Sequence, residues 1–349
     1  MTAPNNLTRR IVVPRRGGPD VLQIASEASP EPGPHEVRVA VEAAGVSAYD
    51  VMLRGHRFPG FSRLPYTPGE DITGLVDKLG NAVTDLTIGQ RVGGWTFGDA
   101  GGYAEHLCRP AADLAPVPDG LDPAVAVAMI VNNLTADLAL HQAAQVASGE
   151  SLLVQGAGGG LGSAILQLAR LDGIEAFGAD AAVKHDQIRA DGATPIDYEK
   201  EAVVARLRDL SGGGVDTVID LIGGPAQLLR SYRSLRPGGR MMMLGMAGTD
   251  RFGTGIILPS LLLTAILPIW PDGRRIAMGP GMETYPRENP DWYRKTLRRF
   301  FELANDGHLT PRIADRVPLV EAARAHAILE HGRISGKLTL VTDVYKQIE

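Results

Sequence analysis

The feature that most constrains this chain is a glycine-dense turn that joins a short apolar run to an amphipathic segment. The apolar run is Leu152–Gln155 and the turn spans Gly156–Gly162. Beyond the turn, apolar residues recur at spacings of three and four, which predicts a helix that begins there. Backbone N–H groups and the positive end of the helix dipole meet at this point, and glycine lets an anion approach the backbone. The pattern predicts a dinucleotide whose pyrophosphate contacts Gly156, Gly158, Gly159, Gly160, Leu161 and Gly162.

The composition is typical of a soluble globular protein. The 349 residues are 44% hydrophobic and 21% charged, which is sufficient for two domains with buried cores. The net charge of −5 and the absence of a run of Lys or Arg argue against nucleic acid or a membrane surface as a partner. The single cysteine, Cys108, excludes an intrachain disulfide and a thiolate zinc cluster, and it fits a cytoplasmic protein.

Neither the N-terminus nor the longest apolar segment predicts a membrane anchor. The N-terminal residues are polar and lack the apolar core of a secretory signal. The apolar segment 256–270 is interrupted by Pro259 and Pro268 and is too short to span a bilayer. We expect this segment to pack in the hydrophobic core, to line a pocket or to contact a second subunit.

Hydrophobic periodicity divides the chain into three parts and predicts an α/β fold. Residues 1–125 are β-rich, and the alternation of Glu36–Glu42 is typical of a strand. Residues 126–285 alternate strands with helices, which predicts a parallel sheet covered on both faces, and residues 286–349 return to the first domain. The predicted strands of the parallel sheet are Leu152–Gln155, Glu175–Gly178, Val215–Leu221 and Met241–Met246, the helices are Asp122–His141 and Trp292–Asn305, and the returning strand is Leu338–Thr342.

Two signals at the second strand of this sheet disagree about the cofactor. Asp180 lies 18 residues after Gly162, where a dinucleotide fold places the acid that binds the adenosine ribose, and an acid there favours NAD. Lys184 follows four residues later, and a cation in this loop favours the additional phosphate of NADP. In the second case the Asp180 carboxylate must point away while Lys184 and Tyr198 bind the phosphate.

Small residues follow the later strands of the predicted sheet, in Asp220–Gly224 and Leu244–Gly248. Ligands of such sheets bind at the carboxyl ends of the strands, so small residues there leave room for adenine and nicotinamide. The candidate cofactor residues in these two segments are Ile222, Gly223, Leu244, Gly245 and Met246.

Several further segments, taken together with the glycine turn, resemble one family. They are Gly45–Asp50, Pro68–Gly74, Asn132–Thr135, Lys184-His185, Ile196–Tyr198 and Gly336-Lys337. They are similar to the zinc-free quinone oxidoreductases of the medium-chain dehydrogenase/reductase superfamily, in the branch of zeta-crystallin and the vesicle-amine-transport-like proteins. The resemblance implies a Rossmann doubly wound parallel sheet and a GroES-like β-rich catalytic domain.

The resemblance also implies the cofactor and excludes a metal site. Matches at Lys184 and Tyr198 favour NADP(H), although Asp180 leaves NAD(H) open, and Asn132, Thr135 and Lys337 complete the predicted cofactor contacts. In zinc-dependent members three side chains hold the catalytic metal ion. The corresponding positions here are Ser47, Glu70 and the Val131/Asn132 neighbourhood, and lone histidines such as His56 and His106 are expected to be core or surface residues.

In this family, hydride is added to the β-carbon of a carbonyl-conjugated double bond or to a quinone. Without a metal ion, hydroxyl or backbone donors must stabilise the charge on the substrate oxygen, and an acid or water protonates the α-carbon. The candidate catalytic residues are Ser47, Tyr49 and Tyr66, and Asp50 either holds their loop or takes part in the chemistry. Ser47 replaces a common Asn, and Arg57-Phe58 replaces a tyrosine of related enoyl-thioester reductases, so the proton donor stays open.

Three functions remain open at this point. The first is a zinc-independent, NADPH-dependent reductase of a small apolar enone or quinone, active as a homodimer joined through sheet edges. The second is a reductase, or reductive cyclase, of an enoyl thioester or a polyketide-like polyene. The third is a nicotinamide-binding protein without turnover. Residues that would line a larger substrate pocket are Trp95, Phe97, Ile257, Leu261, Trp270 and Tyr285.

Overall fold

A computed structural model describes residues 7–55, 63–244, 254–269, 271–277, 281–332 and 334–345. Its strands are β1 (Leu7–Val12), β2 (Gln23–Ala28), β3 (Glu36–Val46), β4 (Asp71–Leu79), β5 (Arg91–Trp95), β6 (His106–Pro110), β7 (Leu114–Pro116), β8 (Ser151–Gln155), β9 (Glu175–Asp180), β10 (Thr194–Asp197), β11 (Val215–Asp220), β12 (Leu235–Met243), β13 (Arg275–Ile276), β14 (Ile313–Pro318) and β15 (Lys337–Val341). Its α-helices are α1 (Ala48–Arg54), α2 (Pro123–Asp137), α3 (Gly160–Leu171), α4 (His185–Ala190), α5 (Val203–Ser211), α6 (Pro225–Ser234), α7 (Ile257–Ile266), α8 (Thr284–Glu288), α9 (Pro290–Asn305) and α10 (Ala322–Glu330).

The residues cluster into two compact units. The first unit comprises the chain up to Leu134 and again from Glu283, and the second comprises Thr135–Met282. The second unit is therefore an insertion between two segments of the first.

The second unit contains the predicted doubly wound sheet. Its six strands are all parallel and lie in the order β10-β9-β8-β11-β12-β13. This is the strand order of a dinucleotide-binding fold, in which the order reverses between the first and fourth strands, here β8 and β11. Every residue of β11 is buried, as expected for a central strand covered on both faces. The predicted fold class is confirmed.

The first unit is built on a mainly antiparallel sheet in the order β14-β15-β3-β4-β5-β7, with β6 also paired to β3. The returning strand predicted near the C-terminus is confirmed as β15, which pairs with β3 through Leu338 opposite Val46 and Leu340 opposite Ala44. Alternate residues of β3, including Val37, fill the apolar core of this unit.

Several element boundaries differ from the sequence prediction by a few residues, and two of the differences have clear local reasons. Strand β12 begins at Leu235, earlier than predicted. The Pro-Gly-Gly segment within it has the residue types of a turn, but it continues the strand, and the register opposite β11 shifts there. Helix α2 begins at Pro123, because Asp122 Oδ1 accepts the N–H groups of Ala124 at 2.7 Å and Val125 at 3.0 Å. The α-helix ends at Asp137, and a π-helical turn follows.

One helical segment in the described part of the chain is long and apolar enough to cross a membrane by length and composition. It is Pro123–Ala143, with a mean hydropathy of 1.5, and 83% of its most apolar window is buried within the protein. A buried core helix meets the same two criteria, so this segment carries no membrane assignment.

Candidate active site

The predicted phosphate turn lies at the carboxyl end of β8 in the second unit. Gly156 has a φ of +81°, and Gly159 precedes α3 as its N-cap residue. The N–H of Ser163 is hydrogen-bonded to the Gly159 carbonyl oxygen at 2.9 Å as the first bond of the helix. The N–H groups of the three residues before it, Gly160 to Gly162, therefore have no acceptor inside the helix. Such N–H groups are the donors that an anion site at a helix N-terminus requires.

Glycine is required at this turn for different reasons at different positions. A Cβ atom on Gly162 would lie 2.5 Å from the carbonyl oxygens of Gly156 and Ala157, so glycine allows the helix to pack against the turn. Among the residues that the structure describes, a Cβ atom on Gly159 would meet only the Gly156 carbonyl oxygen, at 3.7 Å, which leaves space for a ligand on that side. A Cβ atom on Gly158 would lie 2.5 Å from Lys184 Cδ.

Asp180 and Lys184 come together beside this turn. The Asp180 carboxylate accepts the Gly158 N–H at 2.9 Å through Oδ2, and its Oδ1 lies 3.4 Å from Lys184 Nζ. Oδ1 also accepts the Ala181 N–H at 2.8 Å. Both oxygens are therefore engaged, and the side chain is directed at the turn. Tyr198 lies after β10 and is 46% exposed.

The candidate loop after β11 also reaches the turn. Asp220 Oδ1 accepts the N–H groups of Ile222 and Gly223 at 2.9 Å each, which shapes the loop, and Gly223 has a φ of +73°. A Cβ atom on Gly156 would lie 3.0 Å from Ile222 Cδ1, so Ile222 packs beside the glycine turn at the switch point of the sheet. The Leu244 N–H donates to the Asp220 carbonyl oxygen at 2.9 Å. Gly245 and Met246 lie outside the described residues.

In the first unit, Ser47 and Asp50 form the capping box of α1. Ser47 Oγ accepts the Asp50 N–H at 3.1 Å and donates its proton to Asp50 Oδ2 at 2.7 Å, while the Ser47 N–H also donates to Oδ2 at 2.9 Å. Asp50 Oδ1 accepts the Gly69 N–H at 2.9 Å. Asp50 is 1% exposed, and burial raises its pKa while these hydrogen bonds oppose the rise. These contacts favour the interpretation that Asp50 holds the loop. They also show that the Ser47 hydroxyl proton is used in the hydrogen bond to Asp50.

A line of buried polar side chains leads away from Asp50. The Tyr103 hydroxyl lies 3.4 Å from Asp50 Oδ2 and 3.2 Å from His326 Nε2. His326 Nδ1 lies 3.0 Å from Arg54 Nη1, and Arg54 Nη2 donates to Glu330 Oε1 at 2.6 Å. Burial, followed by the positive charge of Arg54, lowers the pKa of His326 to about 3. The sequence analysis missed this line because its members are far apart in the chain.

Glu70 is a second buried acid near the same loop. It is 4% exposed, and its Oε2 accepts the Trp95 Nε1–H at 3.1 Å. Burial, followed by the negative charge of Asp50, raises the pKa of Glu70 to about 8. The sequence analysis named Glu70 only as a replacement for a zinc ligand, and a chemical role for it was missed.

The two candidate tyrosines are partly buried, and burial raises the pKa of both Tyr49 and Tyr66. The negative charges of Glu283, Glu70 and Asp50 also act on Tyr49. Both phenols therefore keep their protons at neutral pH and can donate hydrogen bonds.

The remaining predicted cofactor residues have contacts of their own. Lys337 is 6% exposed, and its Nζ donates to Asp71 Oδ2 at 3.2 Å. The Asn132 side chain donates to the Ala128 carbonyl oxygen at 3.3 Å, and Thr135 is buried.

The structure describes the side chains of four of the six residues predicted to line a larger pocket. Trp95 and Phe97 are buried and stack on each other with ring centroids 5.3 Å apart. Tyr285 packs edge-on against Trp292, and Leu261 is 54% exposed. Trp270, the side chain of Ile257, His56 and Arg57-Phe58 lie outside what the structure describes. Within the described ranges, no group of three or more His, Cys, Asp or Glu side chains is arranged to hold a metal ion.

Comparisons with known proteins agree with this architecture. A family model described as an alcohol dehydrogenase GroES-like domain matches residues 33–119, and one described as a zinc-binding dehydrogenase matches residues 191–340. The synaptic vesicle membrane protein VAT-1 homolog of Rattus norvegicus is 30% identical, over 97% of this chain and 85% of the relative.

Two solved structures extend the likeness to the fold. The quinone oxidoreductase of Pseudomonas syringae pv. Tomato DC3000 has a TM-score of 0.84 and 29% identity, with 96% of this chain and 99% of that chain covered. The Escherichia coli quinone oxidoreductase, solved as a complex with NADPH, has a TM-score of 0.79 and 25% identity, with 95% and 99% covered.

A GroES-like β unit joined to a doubly wound nucleotide unit defines an oxidoreductase of the dehydrogenase/reductase type. The chain belongs to the medium-chain dehydrogenase/reductase superfamily, in its quinone oxidoreductase branch.

Proposed function

We propose that the chain is a zinc-independent, NADPH-dependent reductase that transfers hydride to an α,β-unsaturated carbonyl compound or a quinone. The observation that carries this proposal is the turn Gly156–Gly162, where N–H groups without an acceptor inside α3 lie at the switch point of a doubly wound sheet. The quinone oxidoreductase relatives support the reaction class.

The residues at the turn fit a dinucleotide that carries a 2′-phosphate. The N–H groups of Gly160 to Gly162 would bind the pyrophosphate, and the open space beside Gly159 would admit it. Lys184 provides a cation beside the turn, and we propose that it binds the 2′-phosphate together with Tyr198. The bound cofactor supplies the hydride. The proposed contacts are completed by Asn132, Thr135, Ile222, Gly223, Leu244, Gly245, Met246 and Lys337.

The first unit would hold the acceptor. We propose that Tyr49 and Tyr66 donate hydrogen bonds to the substrate oxygen, because their phenols stay protonated. The proton of the Ser47 hydroxyl is directed at Asp50, so Ser47 is proposed to order the loop that carries Tyr49. The positions that correspond to zinc ligands hold Ser47, Glu70 and the Val131/Asn132 neighbourhood, a donor set that does not suit zinc.

The proposed assembly is a cytoplasmic homodimer whose residues 1–125 and 286–349 hold the acceptor and whose residues 126–285 hold the cofactor. Strand β13 is the outer strand of the parallel sheet, and α7 in the same unit carries apolar side chains that are exposed in the single chain. They include Leu258 at 65% and Leu262 at 56%. Such a surface fits a contact with a second copy.

The decisive experiment is a screen of cofactor oxidation with NADPH and NADH side by side. The acceptors are cyclohex-2-enone, 1,4-naphthoquinone, a crotonyl thioester and a conjugated polyenone. We expect turnover of enones or quinones with NADPH preferred. Turnover restricted to the thioester or the polyenone would assign the second function, and tight NADPH binding without any turnover would assign the third.

A further inference from the structure

The backbone around Glu70 is held from two sides. The Gly69 N–H donates to Asp50 Oδ1 at 2.9 Å, and the Thr96 hydroxyl donates to the Gly69 carbonyl oxygen at 3.1 Å. The Thr96 N–H donates to the Glu70 carbonyl oxygen at 2.7 Å. The backbone position of Glu70 is therefore fixed, and the Trp95 indole N–H holds one of the two carboxyl oxygens.

The other oxygen of this carboxyl group has no hydrogen-bond partner. Glu70 Oε1 is buried and unpartnered among the residues that the structure describes, whereas Oε2 accepts from Trp95. Asp50 contrasts with it, because that carboxylate accepts hydrogen bonds from Ser47 and Gly69 on both oxygens. An ionised carboxylate with a single donor is poorly compensated in a buried place. A proton on Oε1 removes the uncompensated charge and makes this oxygen a hydrogen-bond donor.

The charges around Glu70 also favour its protonated form. Asp50 lies after β3, Asp71 follows in β4, and Glu283 precedes α8, and all three raise the pKa of Glu70. Lys337 on β15 is paired with Asp71. A protonated Glu70 places its O–H on the oxygen that no protein acceptor uses.

We propose that Glu70 is the acid that protonates the substrate α-carbon when hydride reduces an α,β-unsaturated carbonyl compound. This inference rests on the proposed function. The charge of Glu70 acts on Tyr49, the residue proposed to donate to the substrate oxygen, so Glu70 lies near the proposed acceptor site. The hydroxyl group of Ser47 already directs its proton to Asp50.

The step balances as follows in atoms and electrons. Hydride brings its electron pair to the β-carbon, and the π electrons of the double bond move to the α-carbon and the carbonyl oxygen. The O–H bond of Glu70 breaks, its proton forms the new bond at the α-carbon, and Glu70 is left as a carboxylate. Water returns the proton before the next turnover.

The test compares Glu70→Gln with the wild-type full-length protein on cyclohex-2-enone and 1,4-naphthoquinone. Glutamine retains an acceptor for Trp95 and removes the transferable proton. The wild-type kcat for the enone is expected to fall as pH rises through about 8, where Glu70 loses its proton. In the variant, kcat for the enone falls about 100-fold or more, and this decline disappears. The quinone, whose charge resides on oxygen, loses less than tenfold.

A second measurement needs neither cofactor nor turnover. The infrared difference spectrum of the protein between pH 6 and pH 10 should show a buried carboxylic acid band that is absent from Glu70→Gln. As a matched control, Glu283→Gln removes a neighbouring negative charge, so it should keep the band and move its midpoint to lower pH.

The two proposals fail in distinguishable ways. A wild-type protein inactive on every enone and quinone refutes the proposed function, and the infrared band still tests the protonation of Glu70. A wild-type protein that reduces the enone, with a variant of equal rate and an unchanged pH profile, overturns the role of Glu70. Absence of the band at pH 6 also overturns it.

Discussion

Arg54 Nη1 lies 3.0 Å from His326 Nδ1, and this contact fixes the tautomer of the histidine. A guanidinium group only donates hydrogen bonds, so Nδ1 must be the acceptor and the ring proton must lie on Nε2. That proton points to the Tyr103 oxygen at 3.2 Å, and the Tyr103 hydroxyl then donates toward Asp50 at 3.4 Å. Each hydrogen bond in this line is therefore donated in the direction of Asp50, whose carboxylate holds Ser47. Because Arg54 does not release a proton at neutral pH, the line positions the loop and conducts no proton past His326.

Replacement of His326 tests this arrangement. His326→Gln can accept from Arg54 and donate to Tyr103, whereas His326→Ala removes the acceptor of Arg54 Nη1 and the donor to the Tyr103 oxygen. We expect the alanine variant to lose about 3 kcal/mol of unfolding free energy and the glutamine variant much less. Denaturant unfolding measures both. The exposed His331→Gln serves as the control, and equal losses for Gln and Ala would contradict the hydrogen-bond assignment.

The depressed pKa of His326 also predicts an acid dependence. In the unfolded chain histidine binds a proton below about pH 6.5, while the folded protein resists protonation down to about pH 3. The stability contributed by this residue is therefore complete above pH 6.5 and is lost as pH falls toward 3, at about 1.4 kcal/mol per pH unit. His326→Gln should show a shallower loss between pH 6.5 and pH 5. A parallel loss in the two proteins would exclude a neutral buried histidine.

Glu70 predicts the opposite dependence, because its pKa is raised in the folded protein to about 8. Its contribution is complete below about pH 4.5 and declines until the folded carboxyl group ionises near pH 8, by about 1.4 kcal/mol per pH unit. The unfolding free energy of Glu70→Gln should therefore rise relative to wild type between pH 5 and pH 8 and stay level above. The surface variant Glu199→Gln is the control for charge. A constant difference across this range would rule out a protonated Glu70.

The glycine turn predicts separate effects for two substitutions. Gly162→Ala places a Cβ atom 2.5 Å from two carbonyl oxygens, so we expect a loss of about 1–3 kcal/mol in stability. In Gly159→Ala the new Cβ atom meets one atom of the described residues, at 3.7 Å, so the stability should be unchanged while the Kd for NADPH rises. Thermal unfolding and fluorescence titration measure the two effects. Unaltered NADPH binding by Gly159→Ala would argue against a phosphate beside this residue.

Lys184 and Asp180 predict the choice between the two nicotinamide cofactors. Lys184→Ala should weaken NADPH binding by about 10- to 100-fold, the value of one charged contact to phosphate, and leave NADH within twofold. Asp180→Asn removes the negative charge paired with Lys184 and should strengthen NADPH binding. The exposed Lys200→Ala is the control for net charge. Equal weakening of both cofactors by Lys184→Ala would refute the phosphate contact.

Much of the second unit was predictable because its signals are local. The strand, turn and helix around Gly156 lie within about twenty residues, and their glycine pattern and periodicity agree. The sequence could not predict the direction of the Asp180 side chain, because that depends on which N–H group the turn presents. In the structure, the Asp180 carboxylate accepts the Gly158 N–H.

The first unit was less predictable because its polar contacts join distant residues. Arg54 and His326 are 272 positions apart, and Glu70 and Trp95 are 25 apart. Ser47 and Tyr49 were identified from local motifs, but protonation of Glu70 depends on which groups surround it after folding. The sequence pattern alone does not show how deeply Glu70 is buried.

The insertion of the nucleotide unit into the first unit sets an order for biosynthesis. Residues of the second unit are contiguous, so a nascent chain contains all of Thr135–Met282 before β15 has been translated. Strand β3 meanwhile lacks the neighbour that Leu338 and Leu340 later provide opposite Val46 and Ala44. The nucleotide unit can therefore fold on the ribosome first. The other unit, whose synthesis began earlier, keeps an unpaired strand edge until β15 is made, and chaperones must shield that edge.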